Sequence, residues 1–374
     1  MRGMNTTIRA RRSVYGLLDL MPTPYQWSSL KAMLVLFLCA QGIALPEHTE
    51  HKSPSALSRF LNLYNWPTTE VIRTLRREIV TMLLERHRVG RRPILRAIVD
   101  LTPLEKSGQF EGLAGLVHVL NKKRGVQLVL LYLELDGWRI PWGFRVWRGK
   151  DSASPAKLAL KLLRTLPAVL TSHYRMMVLA DSGFCSVEFL RGVRKLGHHA
   201  VVGVRRDRRL QNGSRLDQST SRGERVFLDG LPEVPVYVAA YWLRGRDGTR
   251  AKRFVISTRA LRAEHIVRWG KRRWAIEGFF RTCKGRFSLQ RFGQGTRLGV
   301  YRYLLLSMIA YVLAHWGHLS EGRAGRPRWG EAARVILETV LPQTVIEGLL
   351  REIKQRSDLL RSHGIEVSVQ RCKI

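Results

Sequence analysis

Two aspartates stand at positions where a carboxylate can be held rigidly and still meet solvent. Asp100 and Asp181 each end a short apolar run, "ILRAIVD" (94–100) and "YRMMVLAD" (174–181), and both runs are typical of buried strands. A side chain at the end of such a strand can point into the crevice beyond the sheet. If the two strands are adjacent and parallel, the two acids form a hard oxygen site suited to Mg²⁺ or Mn²⁺.

A third acid, Glu277, lies in the basic segment "RRWAIEGFFRTCK" (272–284). At 100° per residue, Glu277 shares one helix face with three cations, which are Arg273, Arg281 and Lys284. An apolar stripe lies beside that face, made of Ile276, Phe279, Cys283 and Phe287. Docking the stripe on the sheet would bring Glu277 towards the two aspartates and leave the cations facing a phosphate backbone.

The alternative for this helix is an exposed salt-bridged series, Arg273–Glu277–Arg281, which stabilises a helix by only a few tenths of a kcal/mol. The helix alone favours that alternative, and each aspartate alone is as well explained by a turn or a cap. The three acids together with the strand order favour a metal site.

The other carboxylates are predicted to have structural roles, with one exception. Asp136 lies in a "DG" turn, Asp207 in the salt-bridged loop "RRDRR", and Glu105 beside Lys106 or a nearby arginine on the surface. Glu134 is the one reserve ligand. The segment "GHHA" (197–200) is interpreted as a loop-to-strand junction rather than half of a metal site.

The charge balance predicts a polyanionic partner. The chain has 64 Lys and Arg against 29 Asp and Glu, a formal net charge of +35, while 45% apolar residues suffice for a packed interior. No membrane partner is expected, because the apolar runs 32–45 and 303–316 are shorter than a bilayer span. We interpret both as buried helices of a cytoplasmic protein. The scattered cysteines (Cys39, Cys185, Cys283 and Cys372) indicate neither disulfides nor structural zinc.

The periodicity predicts an α/β protein in three parts. Residues 1–90 are helical after a basic, irregular start at 1–22, and form either a DNA-binding module or a bundle that packs on the rest. Residues 91–316 form the core, in which "VLAD…VVGV" is a βαβ unit with parallel strands and 206–260 is a β-rich insertion. One long helix is predicted from 263 to 286, and residues 317–374 are helical.

From 94 to 316 the sequence resembles the DDE transposases of bacterial insertion sequences, in particular the IS4-like group. The resemblance rests on "AIVDLTPLEKSG", "VLADSGFCSVEFL" and "RRWAIEGFFRTCKGRF". That group carries a Tyr-x2-Arg-x3-Glu-x6-Lys signature, and Arg273, Glu277 and Lys284 match its last three members. Gly270 stands where the signature has tyrosine.

The resemblance implies an RNase H-like mixed-sheet catalytic core with a β-rich insertion. It also implies two divalent ions, Mg²⁺ or Mn²⁺, with Asp100 bridging both and Asp181 and Glu277 each completing one. Such an enzyme cleaves the ends of its insertion sequence and joins the 3′-hydroxyls to target DNA by in-line phosphoryl transfer. Its partners would be double-stranded DNA, as terminal inverted repeats and target, and a second copy of the chain in a synaptic complex at the nucleoid. Arg273, Arg281 and Lys284 would contact DNA.

Two other functions remain open from the sequence. One is a catalytically inactive DNA-binding relic of such an enzyme. The other is an RNase H-like nuclease or resolvase without strand transfer. Basic helical regions on both sides of the core favour transposition.

Overall fold

A mixed sheet forms the centre of the molecule and carries Asp100. The computed structural model describes residues 2–39, 41–49, 51–86, 90, 92–106, 113, 115–120, 122–218, 222–244, 248–322, 325 and 327–368. Within these ranges the strands are β1 Ile94–Glu105, β2 Val117–Leu120, β3 Lys123–Leu135, β4 Trp138–Trp147, β5 Arg175–Ala180, β6 His199–Val204, β7 Arg222–Leu228, β8 Leu231–Arg244 and β9 Arg250–Ser257. Cys372 and two residues, 89 and 91, of the predicted boundary segment "VGRRP" (89–93) lie outside the described residues.

The strand order is β2-β3-β1-β5-β6-β9-β8-β7, and β4 also pairs with β3. β3 and β4 form the antiparallel hairpin predicted from the "DG" dipeptide, in which Asp136 and Gly137 both adopt positive φ. β1, β5 and β6 run parallel, which confirms the predicted βαβ unit. The strands predicted between 206 and 260 continue this sheet through an antiparallel pairing of β9 with β6, and β7 joins them at the edge.

The helices surround the sheet. They are α1 Arg2–Leu18, α2 Pro24–Cys39, α3 Pro54–Asn62, α4 Thr68–Leu84, α5 Pro155–Leu163, α6 Ala168–His173, α7 Val187–Lys195, α8 Ala263–Arg272, α9 Ala275–Gly285, α10 Arg297–Ser320, α11 Trp329–Val340, α12 Pro342–Gln355 and α13 Ser357–Ser362. α5 and α7 pack on one another and on the sheet, while α9 and α10 pack over Tyr132 of β3 through the rings of Phe279 and Tyr311.

Helix α10 is buried on all sides. By length and composition it could cross a membrane, and among the described residues it is the one helix that could, but 89% of its apolar window is covered by protein. The helices α1, α2, α3 and α11, together with β4 and α9, all pack on it. One hydrophobic core therefore runs from the N-terminal helices through α10 to the sheet.

The prediction that the chain begins with an irregular segment was wrong, because α1 is a regular helix. Its buried residues, Ala10, Val14, Leu17 and Leu18, follow the i, i+4, i+7, i+8 spacing of one helix face. The arginines between them occupy the other face, which hides the apolar stripe when the segment is judged by its charge. The side chain of Ser53 caps α3, whereas α4 has no side-chain cap.

The single long helix expected between 263 and 286 was also wrong. The chain makes two helices, α8 and α9, joined at Arg273 and Trp274. The junction is one tight turn of i to i+3 hydrogen bonds, in which the amides of Arg273, Trp274, Ile276 and Glu277 each donate to the third residue before them. Because such a turn advances about three residues rather than 3.6, it changes the direction in which α9 presents Glu277.

Candidate active site

Asp100 lies in the middle of β1 rather than at its end, which corrects the sequence-based expectation. The antiparallel pairing with β3 continues past Asp100 to the Glu105–Gly125 pair, whereas the parallel pairing with β5 stops at Val99–Ala180. The two flanking strands thus end at different points. Asp100 and Asp181 each follow the last β1–β5 pair and lie at the same level of the sheet.

Asp181 is fixed by the turn that follows β5. Its Oδ1 accepts a hydrogen bond of 2.9 Å from the amide of Gly183 and caps a short 3₁₀ turn, Ser182–Phe184. A carboxylate used in this way cannot rotate freely. The turn therefore holds Asp181 next to β1.

Arg273 links the other two acids. Its Nη1 donates to Asp100 Oδ2 at 3.1 Å, and its Nη2 donates to Glu277 Oε1 at 3.4 Å. The side chains of Asp100 and Arg273 are 12% and 15% exposed, whereas that of Glu277 is 39% exposed. The stripe Ile276, Phe279, Cys283 and Phe287 is buried beneath them, as the helix pattern predicted. Asp100 and Glu277 thus meet across one guanidinium.

The pKa of Asp100 is raised to about 6, chiefly because the carboxyl is buried. The positive charge of Arg273 opposes this rise, while the negative charges of Asp181 and Glu277 add to it. The two other acids are thus close enough for Asp100 to feel their charges. Charge repulsion among the three would be relieved by a cation.

The three carboxylates suit a hard divalent cation, although the guanidinium of Arg273 now lies between two of them. Three carboxylates offer the oxygen ligands that Mg²⁺ and Mn²⁺ prefer, at a point where mutual repulsion disfavours ionised Asp100. Across the described part of the chain, no group of three His, Cys, Asp or Glu side chains is arranged to hold a metal. The guanidinium of Arg273 lies between Asp100 and Glu277 and bonds to both.

Comparison with known proteins decides the family. A family model described as the transposase DDE domain matches residues 120–313, which is more than half of the chain. This chain belongs to the DDE transposase family. The matched range includes Asp181 and Glu277 but begins after Asp100. Transposase domains of this family use divalent metal ions, in agreement with the carboxylate chemistry.

One similar solved structure is a cryo-EM structure of a piggyBac transposase synaptic complex with hairpin DNA. The identity is 10% and the TM-score 0.46, over 98% of this chain and 78% of that one. No curated protein matches the sequence.

The three predicted DNA-contact cations of this transposase lie in different surroundings. Arg273 is largely buried between two acids, and Lys284 is turned towards β1. The Nζ of Lys284 donates to Thr102 Oγ1 at 2.9 Å and to the carbonyl of Pro103 at 2.8 Å, and burial lowers its pKa. Arg281 is exposed on the same helix. In this structure Arg281 is thus the most accessible of the three.

The other carboxylates do not join the site. Glu134, the reserve ligand, lies four residues further along β3 than Leu130, the partner of Asp100, and forms a salt bridge of 3.0 Å with Arg96. Glu105 pairs with Lys123 rather than with Lys106 or an arginine. For Asp207, the predicted salt bridge is not found among the described residues.

Sequence reasoning missed two features beside the acids. Trp274, at the junction of α8 and α9, is 50% exposed and lies against the guanidinium of Arg273, 5.6 Å from the ring centre. A cleft of about 430 Å³ also opens beside Asp181, lined by Ser182 and Gly183 and by the arginines 205, 208 and 209 with two aspartates. The "RRDRR" motif was visible in the sequence, but its place next to Asp181 depends on the β5–β6 pairing.

The glycine that replaces the signature tyrosine has a packing reason. A Cβ on Gly270 would lie 3.2 Å from both γ-carbons of Val255 on β9. A side chain at this position would therefore require Val255 or α8 to shift by a few tenths of an ångström. The transposase keeps the Arg, Glu and Lys of the signature and has tight packing where its tyrosine would stand.

Proposed function

We propose that this protein is a DNA transposase of the bacterial IS4-like group. It cleaves the ends of an insertion sequence and joins the resulting 3′-hydroxyls to target DNA. The observation that supports this best is the meeting of the acids. Asp100 and Asp181 follow the last pair of two adjacent parallel strands, and Glu277 is tied to Asp100 through Arg273.

The strand order supports an RNase H-like core. β1, β3 and β4 form an antiparallel meander, and β5 and β6 then add to the other side of β1 in parallel. The first acid lies on the central strand and the second follows its parallel neighbour. The strands between 222 and 257 extend the sheet beyond β6, away from this meander, which suits an insertion that leaves the acids in place.

Asp100, Asp181 and Glu277 would hold two divalent ions, Mg²⁺ or Mn²⁺. When bound, such ions lower the pKa of a water or a 3′-hydroxyl and stabilise the leaving oxygen during attack on phosphorus. The protein's own contribution is to position charge. β1 and the turn after β5 fix two of the carboxylates, and the apolar stripe of α9 fixes the third.

Arg273 has a second role in this proposal. A guanidinium offers a planar fork of donors that matches a phosphate as well as a carboxylate. If cations take over the carboxylates, the fork of Arg273 becomes available to the phosphate being cut. Lys284 and the exposed Arg281 lie further along α9 and would hold neighbouring phosphates as point charge and fork.

The rest of the chain supplies DNA binding and assembly in this proposal. Residues 1–90 form a helical DNA-binding module, 91–316 the catalytic core, and 317–374 a helical region. The protein acts in the cytoplasm at the nucleoid, on terminal inverted repeats and target DNA, as a homodimer in the synaptic complex. The net charge of +35 supports a polyanionic partner.

The test is cleavage and joining of labelled DNA that carries the element's own ends, with Mg²⁺ or Mn²⁺. Wild type should cut at the ends and join them to a target plasmid. Asp100→Ala, Asp181→Ala and Glu277→Ala should bind the same DNA without cutting it. Glu188→Ala removes an exposed acid from α7 and should cut like wild type.

The same assay separates the alternatives. Wild type that binds the ends but never cuts would be a DNA-binding relic. Cutting without any joined product would indicate a nuclease or resolvase. If the Glu277 variant cuts normally, the assignment of the third acid is wrong.

A further inference from the structure

A second cationic cleft lies at the edge of the sheet opposite the acids. Its volume is about 250 Å³, and it is lined at its polar side by Arg92, Arg175, Gly197, His198, His199 and Arg259. Among its described lining residues none is acidic. An uncompensated group of guanidinium and imidazole side chains around one enclosed space is the chemistry of an anion site.

The strand directions place this cleft away from the catalytic acids. Arg175 begins β5 and His199 begins β6, whereas Asp181 follows the other end of β5. Arg259 comes just after β9, which is antiparallel to β6, and so returns to the same edge. β5 has six residues, so the cleft and the acids are separated by about 20 Å.

Several donors at the cleft have no acceptor within the described structure. The guanidinium of Arg259 donates no side-chain hydrogen bond there. Arg175 uses only its Nε, which donates to the carbonyl of Arg92 at 3.2 Å. The terminal nitrogens of Arg175 and the whole fork of Arg259 are thus available to a ligand.

The ring of His199 offers one further donor. His199 Nδ1 lies 3.0 Å from Arg194 Nη1, which can only donate, and 3.3 Å from the carbonyl oxygen of Thr258, which can only accept. The shorter of the two contacts favours Nδ1 as the acceptor. The ring proton then belongs on Nε2, which makes no hydrogen bond within the described structure. Next to it His198 is only 6% exposed.

The two imidazoles of the cleft have lowered pKa values. Burial lowers the pKa of both His198 and His199, and the charge of Arg194 lowers both further. The charge of Arg259 also acts on His199. The histidines are therefore neutral donors among cations, and the positive charge of the cleft comes from its arginines.

We propose that this cleft binds a phosphate group. Its most direct source, which rests on the proposed function, is the backbone of DNA that lies outside the cleavage site. Arg259 and Arg175 supply the charge and forked donors, and His199 adds a neutral donor. The segment "GHHA", at first sight a plain loop-to-strand junction, then forms part of a binding site.

The test compares Arg259→Gln and the double variant Arg175→Gln/Arg259→Gln with Arg164→Gln. Arg164 is exposed at the end of α5 and controls for the loss of one positive charge. Affinity for a fluorescein-labelled DNA duplex is measured by anisotropy over a series of salt concentrations. The slope of log K against log salt should fall by about one for each cleft arginine removed, and less for Arg164→Gln.

A second measurement identifies the source of the phosphate. Inorganic pyrophosphate at constant ionic strength should raise the melting temperature of wild type and of Arg164→Gln, but not that of the double variant. A loss in both measurements supports DNA phosphate at this cleft, and a loss with pyrophosphate alone supports a small phosphorylated ligand. The proposal is overturned if the cleft variants match Arg164→Gln in both. Neither measurement requires cutting, so a wild type that binds here but never cleaves would contradict only the proposed function.

Discussion

Ionisation of Asp100 destabilises the folded chain. Its pKa is about 6 in the folded chain against an ordinary value of 3.8, so the folded state resists ionisation of this group. Below pH 3.8 the carboxyl is neutral whether the chain is folded or not, and nothing is lost. As pH rises from about 4 through 6, the unfolded chain ionises freely and the folded chain loses stability.

Asp100→Asn should therefore stabilise the metal-free protein at neutral pH. We expect the free energy of unfolding at pH 7 to increase by on the order of 1–3 kcal/mol, and the gain to vanish near pH 4. Urea unfolding at the two pH values measures it. An equal gain at both would mean that the buried charge is not the cause.

Arg273 competes with metal ions for the same oxygens. Arg273→Gln leaves Asp100 and Glu277 without the guanidinium that joins them, so Mn²⁺ should bind more tightly, by about 10-fold if the competing ion pair contributes about 1.4 kcal/mol. Titration calorimetry with Mn²⁺ and no DNA measures this. Arg281→Gln, an exposed arginine on the same helix, should bind Mn²⁺ like wild type; weaker binding by Arg273→Gln would show that the arginine supports the site.

At the residue scale, the sequence predicted which acids matter but not how they are held. Apolar runs before Asp100 and Asp181 mark buried strands, and a helical stripe beside Glu277 marks the buried side of α9. The Arg273–Glu277 salt bridge was one of the two interpretations of the helix, but the bond of Arg273 to Asp100 could not be predicted, because phosphate and carboxylate suit a guanidinium equally well. The mid-strand position of Asp100 depends on how far β3 extends, which no local pattern records.

At the scale of helices and strands, Gly270 allows α8 to approach β9 closely. Gly270→Tyr forces a ring between the helix and Val255, and it should destabilise the protein by about 2 kcal/mol or more. Gly278→Tyr makes the same change on α9, where a Cβ meets nothing within 4 Å. Thermal unfolding of both variants decides the point, since equal melting temperatures would show that α8 can move away.

Most elements followed from periodicity, and each of the two exceptions has its own cause. The strands β1, β5 and β6 and the helices α7 and α10 were predicted because each carries a regular apolar pattern. α1 was missed because its arginines dominate the composition. The break between α8 and α9 was missed because a tight turn keeps helical backbone angles and leaves no Gly or Pro signal at the junction.

For the molecule as a whole, one buried arginine joins the N-terminal helices to the core. Arg302 of α10 is 2% exposed and lies over the ring of Trp66 at 4.2 Å. It donates to the carbonyls of Phe60 and Leu61 in the last turn of α3, to those of Tyr64 and Trp66 between α3 and α4, and to the hydroxyl of Thr68. Burial lowers its pKa to about 10, so it remains charged at neutral pH.

Arg302→Met removes a donor from all four carbonyls and should cost roughly 3 kcal/mol or more, while the carbonyls of Phe60 and Trp66 keep their bonds from Trp66 Nε1 and the Thr68 amide. Because the helices and the sheet share one core, we expect a single unfolding transition at lower denaturant rather than separate release of residues 1–84. Circular dichroism and tryptophan fluorescence should report the same midpoint. Two separated transitions would show that the N-terminal helices fold as an independent unit, and Arg302→Lys should fall between wild type and Arg302→Met.

The burial of α10 on all sides also affects how the chain folds while it is being made on the ribosome. α1, α2 and α3 are made first, but the surface they cover belongs to residues 297–320, which emerge much later. Until then the nascent chain exposes apolar faces that need a chaperone or another temporary cover. A product that stops before α10 should therefore aggregate rather than persist as a soluble fragment.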